Sequence, residues 1–211
     1  MKPRMFWRIA ATALFLVFAF GILFISILRS AEIRYSFSQA PEITSKVPKE
    51  EHIEYQLPSA GKILPDNPLW FIRIGRDRIW YILTPSGLRK AELDLLFSDM
   101  RLGATQELFK KEKYELGVVI LLKAEKYLEE ASFKEEEARR EGVDTRNFLI
   151  RMTMSSLKHR EVIEELLVLA PADARPEIIK IKNITKDVFV RGRNALQEIG
   201  EEIPKSPSEW D

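Results

Sequence analysis

The pattern of apolar and polar positions divides this chain into one unbroken greasy run followed by several interrupted ones. Residues 9–28 carry no charge and only two hydroxyls, Thr12 and Ser26. Twenty residues at about 1.5 Å rise each match a hydrocarbon core about 30 Å thick. A helix apolar on every side is at ease only among lipid tails, so the run predicts a transmembrane anchor. It exceeds the apolar region of a cleaved signal peptide, about 7–15 residues, and Leu28 stands where cleavage wants a small residue. Lys2, Arg4 and Arg8 precede the run, and Arg29 and Arg34 follow it. The positive-inside rule then predicts residues 1–8 in the cytoplasm and the remainder extracytoplasmic, with Phe6 and Trp7 in the interfacial aromatic belt.

Residues 29–63 lack sustained helical periodicity and contain Pro41, Pro48 and Pro58. Proline fixes φ and removes a donor, so this stretch predicts an extended linker that holds the body away from the bilayer, with a short strand around "HIEYQL". From Leu64 the period becomes helical, and residues 64–200 read as a single body. A short amphipathic helix is expected from Pro68, capped by Asp66 or Asn67, to Leu83, where Pro85 disfavours helical geometry at Thr84. Thr84 is expected to cap the next helix, which carries two apolar stripes: Leu88, Ala91, Leu95, Leu102 and Phe109, and Leu93, Leu96, Phe97, Met100, Ala104 and Leu108. Two stripes imply neighbours on two sides.

"KKEK" at 110–113 breaks the pattern. A third helix begins at Tyr114, with Gly117, Leu121, Ala124, Leu128 and Ala131 on one face and Gly142 as its stop. Its terminal run "FKEEEARREG" reads as a solvated helix end. Asp144 or Thr145 caps a fourth helix, with Phe148, Leu149, Met152, Ile163, Leu166 and Leu167 on one face, His159 on the rim and Pro171 beyond its end. The last helix, stopped by Gly200, places Ile178, Ile181, Ile184, Val188, Ala195 and Ile199 together. Residues 201–211 form a polar, Pro-broken, mobile tail. The fold class is therefore all-α: four long helices with short joints, hence antiparallel neighbours, in an up-down bundle or a stack of two helical hairpins.

The short helix carries the one unusual surface. Ile72, Gly75, Ile79 and Ile82 share a face, whereas Arg73, Arg76, Asp77 and Arg78 fall mostly elsewhere. Leu69, Trp70, Ile72, Ile79 and Trp80 are expected to cover one end or side of the bundle. The competing reading is an interfacial helix, with Trp and Tyr at headgroup level and arginines toward anionic lipid. Trp70, Ile72, Arg73, Arg76, Trp80 and Tyr81 are the candidate interaction or packing surface.

Charge and composition narrow the chemistry. Lys+Arg 33 against Asp+Glu 32 gives a net charge of +1, without the positive excess of a nucleic-acid binder. Cysteine is absent from the 211 residues, and His52 and His159 are the only histidines. Thiolate sites are excluded, and histidine-based metal sites and triads nearly so. No cofactor, metal or small-molecule site is expected. "NIT" at 183 matches a glycosylation acceptor but falls mid-helix, and "GRDR" and "RGR" lack the glycine spacing of a phosphate loop.

"LPDNPLWFIRIGRDRI", "LRKAELDLLFSDMRL" and "KKEKYELGVVILLKAEKYLEEA" together resemble a bacterial and archaeal domain-of-unknown-function family with an LPD-x-P-L-aromatic motif and a KAEKYL helix. The resemblance covers about residues 55–135 and implies a single-span, surface-exposed protein without an assigned activity or catalytic residues. Gly117 stands where members often have Ala, which at a close contact reads as a tolerable swap. The hairpin from about Ala104 to Ala131 is also similar to a tetratricopeptide unit, without a second copy at the 34-residue period.

These readings predict a membrane-tethered extracytoplasmic interaction or scaffold domain. Its partners would be the bilayer, through residues 9–28, and a protein or peptide, or another copy of itself. The alternative is a cell-envelope hydrolase acting on glycan or peptide through paired carboxylates such as Asp94, Asp99 and Glu107. A regulator with a cytoplasmic partner-binding domain does not fit, because eight residues before the span cannot form one.

Overall fold

A computed structural model describes residues 12, 14–16, 19, 35–37 and 53–206. The chain divides into two compact units, Met1–Arg34 and Tyr35–Asp211. In the first, residues 12, 14–16 and 19 are helical. The rest of the predicted anchor, residues 1–8 and residues 207–211 of the tail lie outside the described residues. Among the described residues no helix is long and apolar enough to cross a membrane.

The second unit is all-helical where described. Helix α1 is Trp70–Leu83, α2 Gly87–Lys110, α3 Tyr114–Arg140, α4 Arg146–Leu169 and α5 Arg175–Glu198. Local chemistry sets most of these limits. The Asn67 side chain accepts from the Leu69 amide at 2.9 Å, while Asp66 is taken by Lys111 and Lys113 at 3.1 and 2.8 Å. The Thr84 hydroxyl donates back to the Trp80 carbonyl at 2.9 Å, so it closes α1, and Ser86 occupies the cap of α2. Gly142 and Gly200 take φ of +83° and +74°, conformations that let the chain turn out of α3 and α5.

Helices α2 and α3 form one hairpin and α4 and α5 another. Antiparallel packing holds within each hairpin, but between hairpins the helices run parallel. Glu92 pairs with Arg151 and Asp99 bonds Ser155, linking α2 to α4 in rising register. On the other side Glu125 meets Thr185, Ser132 meets Arg191 and Arg139 meets Glu198. Partners lie 56 to 60 residues apart along both seams, so the second hairpin stacks on the first nearly in step. This is the hairpin stack, not an up-down ring.

Helices approach closely at two glycines. A Cβ on Gly117 would lie 2.5 Å from the Phe109 ring, and one on Gly192 would lie 2.3 Å from the Thr153 hydroxyl. Phe109 is 2% exposed and held edge-on to Tyr114, so it has nowhere to retreat. Alanine at 117 is therefore not the tolerable swap expected from the sequence.

The segment read as an extended linker has no helix or strand over 53–64, and it lies against the helices. Ile53, Tyr55 and Leu57 point inward while Glu54 and Gln56 face solvent. The predicted short strand does not form; in its place the Ile53 amide donates to Glu161 at 3.0 Å. Tyr35 donates to Glu177 at 3.0 Å, and the Phe37 amide to Glu115 at 3.2 Å. Chain that looked like a spacer is thus bound to the body at Tyr35, Phe37 and Ile53.

The clash at Gly117 sets a prediction. Gly117→Ala should destabilise the body by about 1–3 kcal/mol, the usual cost of overpacking a filled contact, read from urea unfolding midpoints.

Candidate functional site

Two places in the fold concentrate chemistry: a charged layer inside the hairpin stack and the surface of α1. The layer begins with the apolar core, which is split. One cluster holds Leu102, Phe109, Leu121, Ile163, Leu166, Ile178 and Ile181. A second holds Ala91, Leu95, Leu128, Leu149, Met152, Val188 and Leu196. Along every long helix buried polar residues lie between these clusters: Asp99, Glu125, Ser155, His159 and Thr185, each at most 3% exposed.

His159 occupies the centre of this layer. Its Nδ1 is 2.7 Å from Glu125 Oε1 and its Nε2 is 3.0 Å from Asp99 Oδ1. A carboxylate can only accept, and a neutral imidazole has one proton to donate, so both bonds together require the imidazolium. Burial alone would lower the histidine pKa, but the Glu125 and Asp99 carboxylates reverse this and push it up from 6.5 to about 10. Ser155 and Tyr55 donate to the two oxygens of Asp99 at 2.7 and 2.6 Å, and Thr185 donates to Glu125 at 2.7 Å. The Tyr55 phenol is raised by burial and by the adjacent Asp99 charge. Sequence reasoning put His159 on a helix rim and Asp99 among the paired-carboxylate candidates; the structure buries both and joins them.

Other charges are buried as well, and Glu135 was hidden in a run read as a solvated helix end. Glu135, from the acidic end of α3, is 2% exposed and accepts from Thr145 at 2.6 Å and Arg139 at 3.2 Å. Burial nonetheless raises its pKa. Arg101 lies against the edge-on pair Phe97 and Tyr127, 5.6 and 4.3 Å from their ring centres. Asp94 lies beneath Lys134 at 3.0 Å, its pKa raised by burial.

The hydrolase candidates do not come together. Asp94 is held by Lys134, Asp99 by His159, Ser155 and Tyr55, and Glu107 on the surface by Lys110 at 2.8 Å. A surface hollow at the end of α3, lined by Phe133, Glu136, Glu137, Arg140 and Glu141, contains none of them. Among the described residues no group of three or more His, Asp or Glu side chains is placed to hold a metal ion.

Helix α1 departs from its expected role. Leu69, Ile72, Ile79 and Trp80 are 49, 58, 61 and 48% exposed, so they do not seal the bundle. The inward side is the polar one. Asp77 is 5% exposed and adds a favourable charge beside Arg101. Arg73 turns inward to the carbonyls of Ala60 and Ile63, its guanidinium 4.9 Å from the centre of Trp70. Tyr81 lies under Lys90 and Lys134, and Trp80 meets Phe97 edge-on at 6.4 Å. Arg76 bonds Asp77 at 2.7 Å with 62% of its side chain exposed. The six candidate residues therefore share one helix but split between its two sides: Arg73, Trp70 and Tyr81 turn inward, and Ile72 turns outward.

No protein-family model matches this chain, and no curated protein or solved structure does.

The charged layer predicts a distinctive pH response. The folded histidine value lies above the unfolded one, so its stabilisation is complete below about pH 6.5 and is lost as pH rises toward about 10. Unfolding midpoints of the body should fall steadily from about pH 6.5 to about pH 9.5, followed by circular dichroism. His159→Gln leaves two buried carboxylates without a cation; it should cost about 3–5 kcal/mol near pH 6.5 and flatten that pH profile.

Proposed function

We propose that this protein is a membrane-tethered, non-catalytic docking body, held by residues 9–28 with its helical unit outside the cytoplasm. One observation carries the reading: the groups with reactive potential are committed inside the stack, whereas the large apolar side chains of α1 are turned to solvent. A catalytic carboxylate or histidine must reach a substrate. Here Asp99, Glu125 and His159 are at most 3% exposed and bond one another, Ser155, Tyr55 and Thr185. An exposed apolar helix costs solubility, and a surface of that kind marks a site of contact.

The uncharged run and the arginines around it support the tether and its orientation. Attachment of Tyr35 and Phe37 to α5 and α3 leaves only residues 29–34 between the apolar run and the body, a short leash rather than a long one. A docking body benefits from such restraint, because a surface with little freedom to lose binds at low entropic cost.

The chain has no cysteine, so one introduced thiol is unique. Glu165 is exposed on α4. In spheroplasts expressing the full chain, Glu165→Cys should react with a membrane-impermeant maleimide without permeabilisation, and the protein should resist carbonate extraction. Labelling only after permeabilisation would place the body in the cytoplasm, and release by carbonate would remove the anchor.

A further inference from the structure

The outward face of α1 is apolar over its whole length. At 100° per residue Phe71, Ile82, Gly75, Ile79, Ile72 and Leu83 fill an arc of about 120° without a polar side chain. Phe71, Ile82 and Leu83 are 65, 66 and 74% exposed, the last the most solvent-facing large apolar side chain described in the body. Arg78 borders one edge of this arc and Arg76 the other, both exposed. Asp77, Arg73 and Tyr81 occupy the opposite side, facing the bundle. The usual arrangement of a surface helix is inverted: polar groups dock it and hydrocarbon is presented.

The geometry points to the lipid bilayer surface as the occupant of this face, with α1 lying in the plane of an anionic headgroup layer. This rests on the tethered reading and names the docking partner. Three observations favour lipid. The face is smooth hydrocarbon with no buried donor or acceptor, which an acyl boundary satisfies without geometric matching. Residues 69–90 hold five basic side chains, Arg73, Arg76, Arg78, Arg89 and Lys90, against the single acid Asp77, a local charge of +4 in a chain of +1. Such a segment is drawn to anionic headgroups, and arginines at the edges of an apolar face can reach up to phosphate while their stems stay in hydrocarbon.

Reach is the third observation. Tyr35 is already fixed to the body by Glu177, and seven peptide steps separate it from Leu28, the last residue of the apolar run. Fully extended, seven residues cover about 25 Å. A bilayer holding residues 9–28 is therefore always within a short distance of Tyr35. A second copy of the chain fits less well, because a twofold contact through this arc sets arginine-bordered edges against each other.

The test uses the full chain in vesicles, with a nitroxide on a single introduced cysteine. Ile79→Cys places it at the centre of the arc, and Lys180→Cys, exposed on α5, gives a reference. In phosphatidylglycerol-containing vesicles the probe at 79 should collide readily with oxygen and poorly with a nickel chelate, while the probe at 180 shows the reverse. Replacing the anionic lipid by phosphatidylcholine, or introducing Arg76→Glu with Arg78→Glu, should return the probe at 79 toward the aqueous pattern. Circular dichroism checks that each variant is folded. An anchored chain whose probe at 79 is as accessible to nickel as that at 180 overturns the proposal, and so does spin–spin broadening at 79, which would show a second copy on the face. A chain that washes out of the vesicles fails earlier, at the tether.

Discussion

The structure depends on one ion held between two others. His159 keeps Asp99 and Glu125 apart and joined at once, and without its positive charge two carboxylates would face each other in a dry core. The layer ties α2, α3, α4 and α5 together, and Tyr55 adds the segment ahead of α1. It also fixes register. Sliding one long helix by a turn moves its polar residue about 5.4 Å into one of the apolar clusters, where no partner waits. Leucine-rich clusters on either side supply cohesion but tolerate many alignments, whereas the charged layer accepts one.

That layer was legible in principle. Helix limits follow from local signals such as Pro85, Pro171, Gly142 and Gly200, and they place Asp99, Glu125, His159 and Thr185 each within two residues of the midpoint of its helix. In stacked hairpins of nearly equal length, midpoints share one level, so four polar residues at four midpoints should meet. The stripe patterns hid this. Glu125 sits inside "LLKAEKYLEEA", where it looks like one more solvated charge, and Glu135 is masked the same way by "KEEEARR". Periodicity assigns a residue to a face; it does not say which charged neighbour turns inward when a histidine or an arginine awaits it.

Helix α1 failed for a different reason. Its sequence separates apolar from basic positions well enough, but that separation tells only that the two sides differ. Which side meets the protein is settled by partners far away in sequence: Arg101 beneath Asp77, and the carbonyls of Ala60 and Ile63 for Arg73. Charge pairing at the protein surface decides which side of α1 faces the body.

The attachment of Tyr35 to Glu177 and of Phe37 to Glu115 has a mechanical meaning. Glu177 belongs to the second hairpin and Glu115 to the first, so a pull arriving from the N-terminal side is shared by both at their seam. Tension therefore loads the stack across its interface rather than unzipping a single helix from one end.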